Sequence, residues 1–268
     1  MKRVLVAMVV LLSVAPFVNA ANIGGTDVGI TADLTYTTKY MWRGIDILDD
    51  VSAWQPSINF DLGNGFSANV WASYAGAGGH TYGGTDAASS RVNLTEYDYT
   101  LAYSNSINEG CPWKTDYTIG WRYYDFIDQP STAADMQEGF LEIAMPELVG
   151  GGITPHAAYY QMWAAKDHSD VADAGGAIFV TGFNYDFTLN QAPELPMTFG
   201  WDIVYNDGAG AVGVDHDWSH MVWSLATSMT CPMTGAKITP AIYFQNSFDK
   251  SVDTENEFWA SLSYSFSF

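Results

Sequence analysis

Positive charge is what this 268-residue chain has least of. Ten lysines and arginines stand against 30 aspartates and glutamates, for a formal charge of −20. Such a chain cannot neutralise a phosphate backbone, which excludes nucleic acid as a partner, and it is a poor match for an anionic lipid surface. Long apolar runs are nearly absent. The one that exists, Val4–Val18, is too short for a membrane-spanning helix. Preceded by Met1-Lys2-Arg3 and followed by Asn19-Ala20-Ala21, it reads as an export signal over residues 1–20, cleaved after Ala20. Loss of Lys2 and Arg3 with that leader takes the charge from −20 to −22. The residue directly after the cleavage point is Ala21 and not a cysteine, which argues against a lipoprotein anchor. Amphipathic helical patterns are missing too, so any membrane insertion by residues 21–268 has to use strands.

What the chain does have is aromatic residues, glycine and a period of two. In Phe258–Phe268, Phe258, Ala260, Leu262, Tyr264, Phe266 and Phe268 fall on one face, and Trp259, Ser261, Ser263, Ser265 and Ser267 on the other. Only a β-strand alternates this way. About twelve such segments follow one another. They are read as Val28–Trp42, Trp54–Leu62, Phe66–Ala75, Asn93–Ser104, Asp116–Asp125, Gln137–Met145, Ile153–Trp163, Ala177–Leu189, Met197–Asn206, Trp218–Ser228, Lys237–Asn246 and the closing segment. Their connections alternate in character. Gly63–Gly65, Asn105–Thr115, Pro146–Gly152, Asn190–Pro196 and Met229–Ala236 carry few charges, whereas Gly44–Ala53, Gly76–Val92, Ile127–Met136, Ala164–Gly176, Asp207–Asp217 and Asp249–Asp253 are acidic or glycine-rich. The expected fold is therefore all-β: one antiparallel up-and-down transmembrane barrel in the outer membrane, its last strand sealing against its first. The closing strand, with Phe258, Tyr264, Phe266 and Phe268 facing lipid, is also the expected contact for barrel-assembly machinery.

Thr38–Ala75 carries a more specific pattern: Tyr40, Trp42, Arg43 and Gly44, then Asp46 and Asp49, then Gln55, Gly65, Phe66 and Trp71-Ala72-Ser73. Over these residues the chain resembles the TorF-like porins, a family of exported outer-membrane barrels. The resemblance implies passive transport and supplies no catalytic residues.

Candidate lumen residues follow from the polar faces of the strands. The acidic ones are Asp33, Asp61, Glu96, Asp98, Glu142, Asp186, Asp202 and Glu257, and the basic ones Lys39, Arg43, Arg122 and Lys237. Either they pair and plug a structural or adhesion barrel, or they line a channel for small solutes or ions with a weak preference for cations. Arg43 at the rim is expected to clasp Asp46, Asp49 or Asp50. Among the histidines His80, His156, His168, His216 and His220, the pair His216 and His220 is a weak metal candidate; no cofactor is called for. A phospholipase-like enzyme needs adjacent Ser and His. His168-Ser169-Asp170 and Ser219-His220 offer the residue types, although a His beside a Ser on a regular strand points to the opposite face. Cys111-Pro112 and Cys231-Pro232 both fall in short turns; in an oxidising compartment a disulfide between them is the favoured expectation.

Overall fold

A computed structural model describes residues 21–23, 26–76 and 95–268. The expected export signal, His80 and the first two residues of the segment read from Asn93 lie outside them. The described residues form twelve long strands: β1 Thr26–Thr37, β2 Ala53–Gly63, β3 Phe66–Ala75, β4 Thr95–Ile107, β5 Thr115–Phe126, β6 Met136–Ala144, β7 Ile153–Ala164, β8 Gly176–Leu189, β9 Ala192–Asp207, β10 His216–Thr227, β11 Lys237–Ser247 and β12 Glu257–Ser267. Each pairs antiparallel with its neighbours in sequence. The sheet closes where β12 meets β1, in a register running from Ser261↔Thr37 to Ser267↔Thr31. Thr35 and Ser263 share a hydroxyl hydrogen bond of 2.7 Å inside that seam, and backbone bonds tie Ile30 to Phe268 beyond it. Closure leaves the sheet no edge.

The alternation has a simple consequence once the sheet is closed. Leu101, Ile119, Leu262 and Phe258 are each at least half exposed on the outer wall. They belong to a band of outward aromatics and aliphatics of the kind that hydrocarbon, rather than water, accommodates. The residues between them face inward. Among the described residues no helix is long and apolar enough to cross a membrane; the long elements are strands.

Most boundaries lie within three residues of the sequence expectation, and two lie further off. The first strand ends at Thr37 rather than Trp42, because the chain turns into the barrel there. Tyr40 and Leu48 are buried in a cluster with Ala53, against which Trp42, Trp71 and Phe126 pack. At the other end of the barrel the connection expected over Asn190–Pro196 shrinks to a two-residue turn, with β9 running on through a register shift near Leu189. Pro196, which has no N–H to give the ladder, stands beside that register shift, where proline is tolerated, and its carbonyl accepts from Thr227 Oγ1 at 2.8 Å.

Candidate functional site

The interior is organised by a small hairpin in the connection between β1 and β2. Met41–Trp42 pairs with Ile45–Asp46 across a two-residue turn, Arg43-Gly44. Both turn residues have positive φ, +47° and +95°, as a type I′ turn requires. Gly44 is the residue that fits: a Cβ there would lie 2.4 Å from His220 Nδ1. Its carbonyl accepts a 2.8 Å bond from the fully buried Gln245. Trp42 meets Tyr124 edge-on at 5.8 Å, so the hairpin is wedged between opposite walls.

Arg43 is thereby carried into the lumen. Its guanidinium sits 3.6 Å from the centre of the Tyr160 ring and forms an ion pair with Glu138. It does not clasp Asp46, Asp49 or Asp50. Asp46 instead accepts the backbone N–H groups of Leu48 and Asp50, and Asp50 pairs with Lys39. Glu138, on β6, has no exposed surface; it also takes Arg122 at 3.4 Å and the Tyr124 hydroxyl at 3.0 Å. A buried carboxylate requires such company. Glu96 completes the layer by accepting from Tyr40 at 2.8 Å.

Lys39 bonds Glu257 as well as Asp50. Burial opposes its charge, but these two carboxylates outweigh burial and raise its pKa. Asp46, Asp50 and Glu257 are the one three-carboxylate group among the described residues close enough to share a cation, and the Lys39 ammonium already contacts two of them.

Towards the short-turn end the lumen is acidic. Asp33 accepts from Ser57, Glu142 from Tyr160, Asp186 from Thr198, and Asp202 lies 2.5 Å from His156. Asp61 binds the Gly63 N–H at the turn, and Lys237 stands exposed at that mouth. Two cavities flank the Arg43 layer. One, of about 570 Å³, lies beneath the hairpin among Thr35, Gln55, Trp71, Asp98, Tyr243 and Trp259. The other, of about 680 Å³, opens among Asp116, Glu142, His156, Asn184 and Asp202.

Sequence reasoning placed the twelve candidates on the polar face but missed Glu138, Tyr40, Tyr124, Tyr160 and His156. A signal for Glu138 existed: it is in phase with Glu142 on one strand. The remaining expectations change. Ser219 and His220 both point inward, because the register shift between Val204 and Tyr205 leaves Ser219 as an extra residue. Their side chains lie 2.9 Å apart and are almost wholly buried, and Ser219 Oγ also bonds the Val204 carbonyl. Ser169 is spent on the Thr132 carbonyl. His216 pairs with Asp207 and does not join His220 in a metal-ligand cluster among the described residues. Cys111 and Cys231 are free thiols, not a disulfide: they lie in the β4–β5 and β10–β11 turns, six strands apart around the barrel, beyond the reach of an S–S bond.

No protein-family model and no curated sequence matches the chain. Its fold is shared by solved porins. The KdgM porin superposes with a TM-score of 0.54 at 11% identity, covering 89% of this chain and 99% of that one. A structure of the KdgM porin in complex with disordered oligogalacturonate gives 0.52 at 10%, covering 90% and 99%. The NanC porin gives 0.51 at 8%, covering 88% and 98%. At these identities the likeness is one of fold: a closed antiparallel barrel of the outer-membrane porin type.

Proposed function

We propose that this protein is an outer-membrane channel for passive diffusion of small solutes and ions, narrowed by its own Arg43 hairpin and weakly selective for cations. One observation carries the reading: the closed barrel has an apolar outer wall, and its polar interior retains two cavities, of about 570 and 680 Å³, instead of a filled core. The short turns belong on the periplasmic side and the acidic connections outside. Cation preference rests on the lower lumen, where Asp33, Asp61, Glu142, Asp186 and Asp202 outnumber Lys237. The motif Tyr40, Trp42, Arg43 and Gly44, which carries the TorF-like resemblance, is the segment that forms the constriction. A fold shared with KdgM and NanC supports transport rather than lipid hydrolysis, and the buried Ser219 and His220 offer no lipid-facing nucleophile.

The test is single-channel recording of the refolded protein in planar bilayers under a KCl gradient. A small conductance with a reversal potential on the cation side is expected, moving towards zero when Asp202 and Glu142 are neutralised together. A barrel that inserts yet stays silent even after the hairpin is removed would refute the channel and leave a structural barrel.

A further inference from the structure

The cavity beneath the hairpin has a chemistry unlike the rest of the lumen. Its walls carry aromatic rings that face inward, against the rule that a porin interior is polar. Tyr243 and Trp259 stack at 4.9 Å with planes 8° apart, and Trp71, its ring centre 5.6 Å from that of Tyr40, lines the cavity from β3. Between them lie Gln55, whose side chain makes no hydrogen bond among the described residues, and Asn69, whose amide NH₂ donates to the Ile58 carbonyl and whose carbonyl oxygen is free. Asp98 lines the same cavity, nine-tenths buried, with one carboxylate oxygen unpartnered.

The charges narrow the ligand. The two cations at this cavity are committed, Lys39 to Asp50 and Glu257 and Arg122 to Glu138. The unspent polar groups are then the Gln55 amide, the Asn69 carbonyl oxygen and one Asp98 oxygen, which exchange hydrogen bonds with hydroxyls, and the wall offers a carboxylated ligand no unpaired cation. Flat aromatic faces beside unpaired amides match a molecule with apolar C–H faces and a rim of hydroxyls. The volume, about 570 Å³, falls within the roughly 300–1,000 Å³ of small-molecule sites. We infer that this cavity is a binding site for a neutral saccharide of one or two sugar units, held between the Tyr243–Trp259 stack and Trp71. The inference rests on the channel reading for its role but not for its existence.

Two measurements separate them. In bilayers, maltose in the millimolar range should block the ion current saturably, and Trp259→Ala or Gln55→Ala should raise the half-blocking concentration about tenfold, whereas Trp223→Phe on the outer wall should not. Digalacturonate and choline, tested at the same concentrations, should block less than maltose. If either blocks more strongly, or if Trp259→Ala blocks like the parent, the saccharide site is wrong. In a detergent without a sugar headgroup, maltose should also change the tryptophan fluorescence of the refolded protein saturably. A fluorescence change without any current supports the site and refutes the channel; neither a change nor block refutes the site.

Discussion

Arg43 and Glu138 form an ion pair inside the barrel, one from a loop hairpin and the other from β6, where Glu138 has no exposed surface. Glu138 also holds Arg122, so one carboxylate anchors two guanidiniums. Replacing it by alanine leaves two like charges facing each other with no anion between them, a loss of about 3–5 kcal/mol when a buried pair is broken from one side. Glu138→Ala should therefore lower the unfolding midpoint in urea, read by the gel shift between folded and heated protein, and should raise single-channel conductance as the hairpin leaves. Arg43→Ala should raise conductance with a smaller loss of stability, because Glu138 keeps Arg122 and Tyr124. Parent-like conductance in both variants would mean the hairpin does not set the constriction.

Gly44 is held by two independent constraints, a φ of +95° and the ring of His220. Gly44→Ala is expected to cost about 1–3 kcal/mol, the range for backbone held in a sparsely populated region, with the clash in addition. Adding His220→Ala should restore the part due to the clash and leave the part due to φ. A double-mutant cycle in urea separates the two; strict additivity would show that the hairpin does not rest on His220.

Most strands were legible because period two survives in them: β3 begins and ends where the alternation does, at Phe66 and Ala75, whereas β7, with Tyr159 and Tyr160 side by side, alternates poorly. The end of β1 was not. Tyr40 and Trp42 continue the phase of Leu34 and Tyr36, so nothing in the alternation marks Thr37 as the last rung. Only the left-handed pair Arg43-Gly44 betrays a turn, and it does not say whether the turn points to solvent or into the lumen. That choice is made by Leu48, Tyr124 and Tyr160, residues scattered along the chain whose burial together is visible only in three dimensions. Ser219 was misread for a similar reason. A one-residue shift against Val204 reverses the facing of everything after it, and shifts leave no mark in composition. The partners of the charged candidates left no sign in the sequence, because β6 meets the hairpin through the fold and not through the sequence.

Asp253 predicts how the outer mouth answers to pH. It lies in the β11–β12 connection, 3.4 Å from Gln245 Nε2, the side chain that also holds Gly44. Burial first, and then the carboxylates of Glu257 and Asp46, push its pKa up to about 6, against the opposing bond from the Glu255 N–H. The raised value means the ionised form is disfavoured in the folded mouth. The packing of this connection on the hairpin is therefore strongest below the ordinary carboxylate range and is lost as pH rises through about 6. Asp46, in the hairpin, is raised in the same direction, chiefly by burial. Conductance recorded from pH 7.5 to 5 should fall with a midpoint near 6, and Asp253→Asn should hold the low-conductance state across the range. A midpoint that stays in place in Asp253→Asn would assign the response to other groups.

The seam between β12 and β1 makes the last prediction. Phe266↔Ala32 and Ser267↔Thr31 are the rungs at its short-turn end, and Phe268 exchanges backbone bonds with Ile30 just beyond them. Removing residues 266–268 takes away these rungs and leaves the Ile30–Ala32 stretch of β1 with unpaired N–H and C=O groups facing hydrocarbon, where each costs several kcal/mol. The truncated chain should therefore fail to form a heat-modifiable barrel when refolded with lipid. Phe266→Leu, which keeps both the rung and the apolar contact, should fold. Deletion of a similar length from the β10–β11 turn, Met233–Gly235, interrupts no seam between the first and last strands and should leave the barrel closed. If the truncated chain and the turn deletion assemble equally well, closure does not depend on this end of the seam.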